Sequence, residues 1–195
     1  MKKISIVVLI MGLSFNITAQ NSSKTSKPIT VSYWGANIFH PGLKIGTQHN
    51  FKIWSKTKER KKRGVVVKNK TFFLKPELGF YNHKKNHTGV VLNADFGVEF
   101  SKSEKKFFFS YALGLGYLQH FNSGTTYVLK DDNTISEKKM ASKGYLMPTI
   151  NFEYGEHYEH FSWFNKISIG SKVKYNTSFS VESFFELGIK FYPFK

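Results

Sequence analysis

Two groups of histidines stand out as residues whose types and spacing could do chemistry. The segment GEHYEH, at 155–160, holds two His three positions apart together with two Glu, and HKKNH, at 83–87, holds two His four positions apart. Imidazole and carboxylate groups are common metal ligands. Both segments are predicted turns, however, where no helix or strand would hold the side chains at a fixed spacing. We therefore predict solvated turns, no metal site and no cofactor.

The first 20 residues have the features of an export signal. MKK is a positively charged start, ISIVVLIMGL is an apolar stretch too short to span a bilayer, and Ala19 is a small residue at a plausible cleavage point. We predict a signal peptide at 1–20, a flexible lead-in at 21–28 and one domain at 29–195. The chain contains no Cys, so neither a disulfide nor lipid attachment at an N-terminal Cys is expected.

The run KTKERKKR, at 56–63, is a dense group of positive charges. Two interpretations stay open: a mobile solvated loop, or a surface that docks to the phosphates of lipopolysaccharide or to an acidic partner. The whole chain is basic, with a formal charge of +16 that becomes +14 when Lys2 and Lys3 of the leader are removed. Such an excess implies affinity for anions, and export argues against nucleic acid as the partner.

Apolar and polar residues alternate with a period of two along the predicted domain, and this pattern predicts strands. Leu92 and Phe96, for example, stand opposite Asp95 and Glu99. Eight segments follow the pattern over about nine to sixteen residues each, the weaker ones near 29–39 and 43–54. Such lengths exceed those usual in soluble sheets and suit a tilted crossing of a bilayer. The prediction is an all-β fold: an eight-stranded antiparallel up-and-down transmembrane β-barrel.

An even number of strands predicts which connections share an end of the barrel. With both termini in the periplasm, the connections around 55–69, 102–105 and 156–159 lie there too. Those around 41, 82–88, 123–143 and 176–178 face outside, and the longest holds a predicted hairpin at 127–136. Pro76 and Pro148 lie within strands, and each is expected at a bulge or an unpaired position because proline has no N–H to donate.

The polar face of these strands should point into the barrel. An eight-stranded barrel has an interior just wide enough for side chains to fill, and charges of opposite sign in comparable number can neutralise each other there. Glycines on the same face, such as Gly114 and Gly188, make room for long side chains. We predict a plugged polar lumen whose charged network consists of Lys75, Glu77, Asp95, Glu99, Glu153, Lys166, Lys172, Lys174, Glu182, Glu186 and Lys190.

These features together resemble small outer-membrane barrels of the eight-stranded OmpA/OmpX architecture and, more narrowly, outer-membrane barrel proteins common in Bacteroidetes-type bacteria. The resemblance spans 29–195 and rests on the export signal, the alternating segments and the last strand, ELGIKFYPF. It implies the outer membrane of a Gram-negative bacterium, outer-membrane lipid as surroundings, and a C-terminal signal read by the barrel-insertion machinery. Phe191, Tyr192 and Phe194 would form that signal, with Lys195 departing from a strictly terminal Phe.

A second resemblance concerns His160-Phe161-Ser162. Outer-membrane lipid A deacylases, which are also eight-stranded barrels, have a His-x-Ser pair on a strand and a carboxylate that orients the His. The resemblance is confined to His160 and Ser162, because Trp163 and Phe164 replace the Asn-Ala run of that family. The predicted topology also places His160 near the periplasmic end, away from the outer leaflet.

Three functions are therefore weighed. The leading hypothesis is a non-enzymatic outer-membrane barrel with a structural, adhesive or complex-accessory role. The first alternative is a soluble, lipocalin-like barrel in the periplasm or outside the cell, with its apolar faces turned inward around a ligand. The second alternative is a lipid hydrolase of the lipid A deacylase type that uses His160 and Ser162.

Overall fold

The computed structural model describes residues 27–36, 40–60, 64–83, 86–129, 133–138, 140–173 and 179–193. The predicted signal peptide and all but the last two residues of the lead-in lie outside these ranges. The strands are β1 (Ile29–Ala36), β2 (His40–Thr47), β3 (His49–Arg60), β4 (Gly64–His83), β5 (His87–Lys102), β6 (Lys105–Asn122), β7 (Thr126–Leu129), β8 (Ile135–Lys138), β9 (Ser142–His157), β10 (Phe161–Val173) and β11 (Phe179–Phe191). Within these ranges, no helix is long and apolar enough to span a membrane.

Nine of these strands form one closed antiparallel sheet. Antiparallel pairing follows the order β1, β2, β4, β5, β6, β9, β10 and β11, the last strand β11 pairs with β1, and β3 pairs with β4 beyond the end of β2. β2 and β3 run in the same direction along β4 with a break at Gln48, so together they form one long strand. The ring therefore has eight strands, and the predicted fold class is confirmed.

The two faces of the ring differ in the way that a bilayer requires. On β6, Leu113 is 67% exposed on the outer face, whereas Ser110 and Ala112 are buried inside. Large apolar side chains are exposed on every strand of the ring whose side chains are described, and the buried set inside includes many Lys, Glu and Asp. Exposed apolar surface is stable in lipid and unfavourable in water. The lipocalin-like alternative, which needs the apolar faces inside, is therefore wrong.

The barrel has two distinct ends. The terminal end holds Ile29 and Phe191, the turns at 103–104 and 158–160, and the hairpin between β3 and β4. The loop end holds the ends of β1, β4 and β10, the starts of β2, β5 and β11, and the β7–β8 hairpin between β6 and β9. Asn133 has a φ of 59°, a left-handed conformation that Asn tolerates in a tight turn. The connections share ends as the even strand number predicted.

The segment 55–69, predicted as a periplasmic loop, is largely paired strand. β3 pairs with β4 from His49↔Leu74 to Arg60↔Gly64, and the pair extends beyond the turn at 103–104 as a two-stranded ribbon. Residues 51–59 of β3 are all exposed, so this strand has no alternation between a buried and an exposed face that the sequence pattern could reveal. Lys56 and Lys58 of the predicted basic run are exposed on the ribbon, and 61–63 lie outside the described residues.

Both prolines lie at gaps in the ladder on one side of their strand, and on the other side Pro76 is opposite Ala94 and Pro148 is opposite Leu115. The β2–β4 register ends at Gly46↔Glu77 and the β3–β4 register begins at His49↔Leu74, so Pro76 falls opposite the break at Gln48. The β9–β10 register likewise passes from Thr149 to Leu146 without a pair at Pro148. Each proline therefore has an unpaired position on one side of its strand, as its missing N–H predicts.

Candidate active site

The interior of the barrel is filled by a charged layer at mid-height. The Lys166 ammonium lies 2.8 Å and 3.0 Å from the two oxygens of Glu77, 3.2 Å from Asp95 Oδ2 and 3.0 Å from Glu186 Oε2. Lys75 lies 3.0 Å from Glu153 Oε2 and 3.1 Å from Glu77 Oε1. These groups are at most 5% exposed, so the layer leaves no room for a water column between them.

The other predicted members of the network lie above and below this layer. Lys190 bridges Glu153 Oε1 at 2.6 Å and Glu99 Oε2 at 3.2 Å towards the terminal end. Lys172 pairs with the half-buried Glu182 at 2.5 Å towards the loop end. Lys174 lies outside the described residues.

Lys44 is a member that the sequence reasoning missed. It is 2.9 Å from Glu186 Oε2 and 3.4 Å from Glu77 Oε2. The sequence contained a signal for it, because Leu43 and Ile45 lie on the outer face and Lys44 between them must therefore point inward. However, β2 is short and ends at the break opposite Pro76.

Apolar layers close the network on both sides. Trp34, Tyr81, Val91, Leu118, Met147 and Phe184 form a buried cluster towards the loop end. Phe108 and Phe164 are fully buried towards the terminal end, with the Lys190 and Lys75 ammonium groups over their rings at 4.5 Å and 4.4 Å. A cavity beside Trp34 and Lys44 has a volume of about 10 Å³, at the lower limit for holding one water molecule.

A serine, a histidine and a glutamate come together at the terminal end. His157 is the last residue of β9 and Ser162 the second residue of β10, and the two are a cross-strand pair with both side chains pointing into the barrel. Ser162 Oγ lies 2.8 Å from His157 Nδ1, and His157 Nε2 lies 3.2 Å from Glu99 Oε1 on β5. These distances are within hydrogen-bond reach, so the three groups form a continuous relay from hydroxyl to carboxylate.

Neighbouring side chains hold this relay in place. The His157 ring stacks on Phe108, with centroids 4.3 Å apart, which sets the plane of the imidazole. Lys190 fixes the second oxygen of Glu99. Ser162 is fully buried, and the Tyr192 hydroxyl lies 3.1 Å from its Oγ. The His157 side chain is 30% exposed, so solvent reaches the relay beside this imidazole.

The turn that joins His157 to Ser162 is itself ordered by hydrogen bonds. The Tyr158 N–H donates to the carbonyl of Phe161 at 2.8 Å, and the Tyr192 N–H donates to the carbonyl of His160 at 3.0 Å. The Tyr158 hydroxyl donates to Glu156 Oε2 at 2.7 Å, and this bond raises the pKa of Tyr158 above its usual value. The turn is therefore a fixed hairpin that holds the two strand ends in register.

The proposed pairing of His160 with Ser162 is wrong. His160 lies exposed in the turn at 159–160, whereas His157, on the inward face of β9, contacts Ser162. The signal for His157 was available, because Asn151, Glu153 and His157 share one face of the strand. Glu99 had been assigned to the charged network, and the sequence held no sign that it would contact a histidine on β9, two strands away around the ring.

The predicted turn histidines at the loop end belong to an aromatic cluster. The Tyr81 hydroxyl lies 3.1 Å from His87 Nε2 and 2.5 Å from His120 Nε2, and the rings of His87 and His120 stack at 4.3 Å. His83 packs edge-on against His87. In the part of the chain that the structure describes, no group of three or more His, Asp or Glu side chains is arranged to hold a metal ion.

The predicted insertion signal is divided between the two faces. Phe191 is exposed on the outer face, and Tyr192 turns inward to Ser162. Phe194 lies outside the described residues. Tyr192 thus has a contact inside the barrel that the resemblance did not anticipate.

The closed ring, its apolar outer wall and its filled polar interior define a small outer-membrane β-barrel. Among solved structures, the chain is similar to the outer membrane enzyme PagL, with 13% sequence identity and a TM-score of 0.46 over 83% of this chain and 97% of the PagL chain. No protein-family model matches the chain. The comparison with curated proteins found no match either.

The similarity to an enzyme corrects one prediction. The leading hypothesis from sequence was a non-enzymatic barrel with a structural, adhesive or accessory role; the solved structure to which the chain is similar is that of an enzyme, and the contacts among Ser162, His157 and Glu99 contradict the assumption that no catalytic set is assembled. At this level of similarity the comparison describes the fold alone. Any argument for an activity has to come from the residues of this chain.

Proposed function

We propose that the protein is an outer-membrane acyl-ester hydrolase in which Ser162 is the nucleophile, His157 the general base and Glu99 the residue that orients His157. The observation that supports this proposal is the relay from Ser162 Oγ through His157, at 2.8 Å and 3.2 Å, to Glu99 Oε1. A serine hydroxyl is a weak nucleophile until an adjacent base takes its proton. Serine, histidine and a carboxylate in this order are the groups that acyl transfer requires.

The chemical steps follow from the geometry. Ser162 Oγ attacks the carbonyl carbon of the ester while its proton passes to His157 Nδ1, and Glu99 stabilises the resulting imidazolium. His157 then gives the proton to the leaving alcohol, which departs and leaves an acyl group on Ser162. A water molecule then gives a proton to His157 and attacks the acyl carbonyl, the bond to Ser162 Oγ breaks, the carboxylic acid leaves, and His157 returns the proton to Oγ. In the common serine-hydrolase arrangement the two ring nitrogens have exchanged roles, but either nitrogen can accept the proton.

Tyr192 has two roles in this proposal. Its hydroxyl covers Ser162 in the structure, so a substrate must displace it from Oγ. The same hydroxyl can then donate to the carbonyl oxygen and stabilise the negative charge that develops there. Tyr192 follows the last residue of β11, outside the ladder, so this exchange does not disturb strand pairing.

The proposal extends to location and surroundings. We expect the signal at 1–20 to export the chain to the outer membrane of a Gram-negative bacterium, with help from the barrel-insertion machinery and with outer-membrane lipid as its surroundings. The OmpA/OmpX resemblance and the Bacteroidetes-type origin stay predictions. An acyl ester of a membrane lipid is the substrate class that such a location supplies.

A fluorophosphonate probe tests the nucleophile directly, because it labels serines activated by a base. The protein, refolded in detergent micelles, is incubated with the probe and the labelled peptide is identified by mass spectrometry. We expect labelling at Ser162 and hydrolysis of short-chain nitrophenyl esters, both abolished by Ser162→Ala. Ser168→Ala is the matched control, since Ser168 lies buried on the same face of β10 and should leave both signals unchanged. A folded wild-type barrel with neither labelling nor hydrolysis would contradict the proposal.

A further inference from the structure

A pocket lies on the outer wall of the barrel at the terminal end. Its volume is about 300 Å³, and its lining includes Lys68, Lys102, Lys105, Phe100, Phe107 and Phe109. The residues belong to the neighbouring strands β4, β5 and β6. The Ser162 relay faces the inside of the barrel, so this pocket is a separate feature.

The strand register brings the three lysines of the pocket together. Lys68 pairs with Lys102 across β4 and β5, and Lys102 pairs with Lys105 across β5 and β6. Like charges in directly opposed positions repel each other. None of these three ammonium groups is joined to a carboxylate by an ion pair within the described ranges. An anion placed between them would relieve the repulsion.

The phenylalanines make one side of the pocket apolar, while the lysines make the other side positively charged. Phe100 and Phe109 are a cross-strand pair, and both lie closer to the middle of the barrel than the lysines do. All three phenylalanine rings of the pocket are exposed on the outer wall. A ligand that fits has an anionic group towards the water and an apolar part that lies along the wall in the bilayer. Inorganic phosphate supplies the first feature and lacks the second.

We propose that this pocket binds one anionic glycerophospholipid, with its headgroup phosphate between Lys68, Lys102 and Lys105 and its acyl chains along the phenylalanines. The predicted topology places the terminal end in the periplasm, and the leaflet on that side consists of phospholipid. The pocket volume suits a phosphate with its glycerol unit. Lysines near a membrane surface attract anionic lipid, and three in register would select one molecule.

Native mass spectrometry tests this proposal with dihexanoyl phosphatidylglycerol as the probe. The full chain, released from neutral detergent micelles, should retain one phosphatidylglycerol molecule. The triple variant Lys68→Gln, Lys102→Gln, Lys105→Gln should bind phosphatidylglycerol with an affinity lowered by about tenfold or more. The control variant Lys52→Gln, Lys58→Gln, Lys143→Gln loses the same charge from exposed positions outside the pocket and should bind as the wild type does.

Three results would overturn the proposal. Equal losses in the two triple variants would show diffuse attraction to a basic surface. Equal retention of dihexanoyl phosphatidylcholine would show that the lysines do not select an anion. Competition by inorganic phosphate at the same concentration as the lipid would show a site for the free ion. A heat-dependent gel shift confirms that each variant is folded, and Lys105→Gln alone, at the start of β6, replaces the triple variant if that one does not fold.

Discussion

Lys166 and Glu77 face each other across the centre of the barrel, with the ammonium 2.8 Å and 3.0 Å from the two carboxylate oxygens. Glu77 belongs to β4 and Lys166 to β10, on opposite parts of the ring. Asp95 from β5 and Glu186 from β11 approach the same ammonium. A single cation therefore joins four strands of the ring through its interior.

Removing this cation should be the most destabilising change in the lumen. Lys166→Met keeps most of the side-chain volume but leaves three carboxylates without their shared partner, and breaking a buried ion pair costs about 3–5 kcal/mol. We expect the free energy of unfolding to fall by at least that amount, measured by urea titration in lipid vesicles. Lys172→Met is the control, because its partner Glu182 is partly solvated. Equal effects of the two substitutions would show that the central network does not hold the ring together.

Gly114 should tolerate no side chain. A Cβ there would meet Thr149 Oγ1 and Asp95 Oδ1, and would lie 2.9 Å from Asn151 Nδ2. At Gly116, two residues along the same face, the nearest atom to a Cβ is Asn93 Oδ1 at 3.1 Å. Overpacking typically costs about 1–3 kcal/mol, so we expect Gly114→Ala to lower the unfolding free energy by this amount and Gly116→Ala to lower it less. Urea titration of both variants checks the order, and the reverse order would contradict the packing described for this face.

Glu99 should matter to the rate of hydrolysis through His157. Glu99→Gln keeps the shape of the side chain but cannot stabilise an imidazolium, so we expect kcat to fall about 10²-fold or more. Tyr192→Phe removes the donor next to Ser162 and should lower kcat by about 10- to 10³-fold. Nitrophenyl ester assays on folded protein measure both. Unchanged rates in both variants, with Ser162 still labelled by fluorophosphonate, would exclude the relay as the catalytic group.

A charged substitution should lower the unfolding free energy when it is placed in the middle of the outer face, and should have little effect at the ends of the barrel. Leu113 is the most exposed of the large apolar residues described on the ring strands, and it lies far from both ends of β6. Leu113→Arg should cost about 2–4 kcal/mol when the protein is unfolded from lipid vesicles, because Arg at the bilayer centre loses its hydration. Tyr127→Arg, on β7 in the loop-end hairpin, should have no effect. A small effect at Leu113 would mean that this face is not in contact with lipid.

The alternation of apolar and polar residues was sufficient to predict most of the fold. In β5, β6 and β9, which are sixteen residues or longer, the period of two extends over most of each strand, so both the strands and their faces could be predicted. The pattern failed in β3, where 55–60 combines charges with no buried face and so resembles a loop. The ribbon formed by β3 and β4 extends beyond the ring, where β3 buries no face, so an apolar period of two does not reveal its pairing.

The relay could not be predicted in the same way. Local alternation shows that His157 and Ser162 point inward, but the contact with Glu99 depends on the register of β5, β6 and β9 around the ring. His160 and Ser162 have the His-x-Ser spacing of lipid A deacylases, so the sequence favoured His160 as the partner of Ser162. The hairpin instead places His157 against Ser162. Contacts across the lumen can be predicted only when the closure and the strand register of the whole ring are known.

The filled interior also has an electrical consequence. Lys166 and the carboxylates around it are at most 2% exposed, so the residues that the structure describes leave no path for hydrated ions through the middle of the barrel. In a planar bilayer the protein should therefore add no stepwise current at any applied voltage. A cell can hold many copies of it without making the membrane leaky to ions.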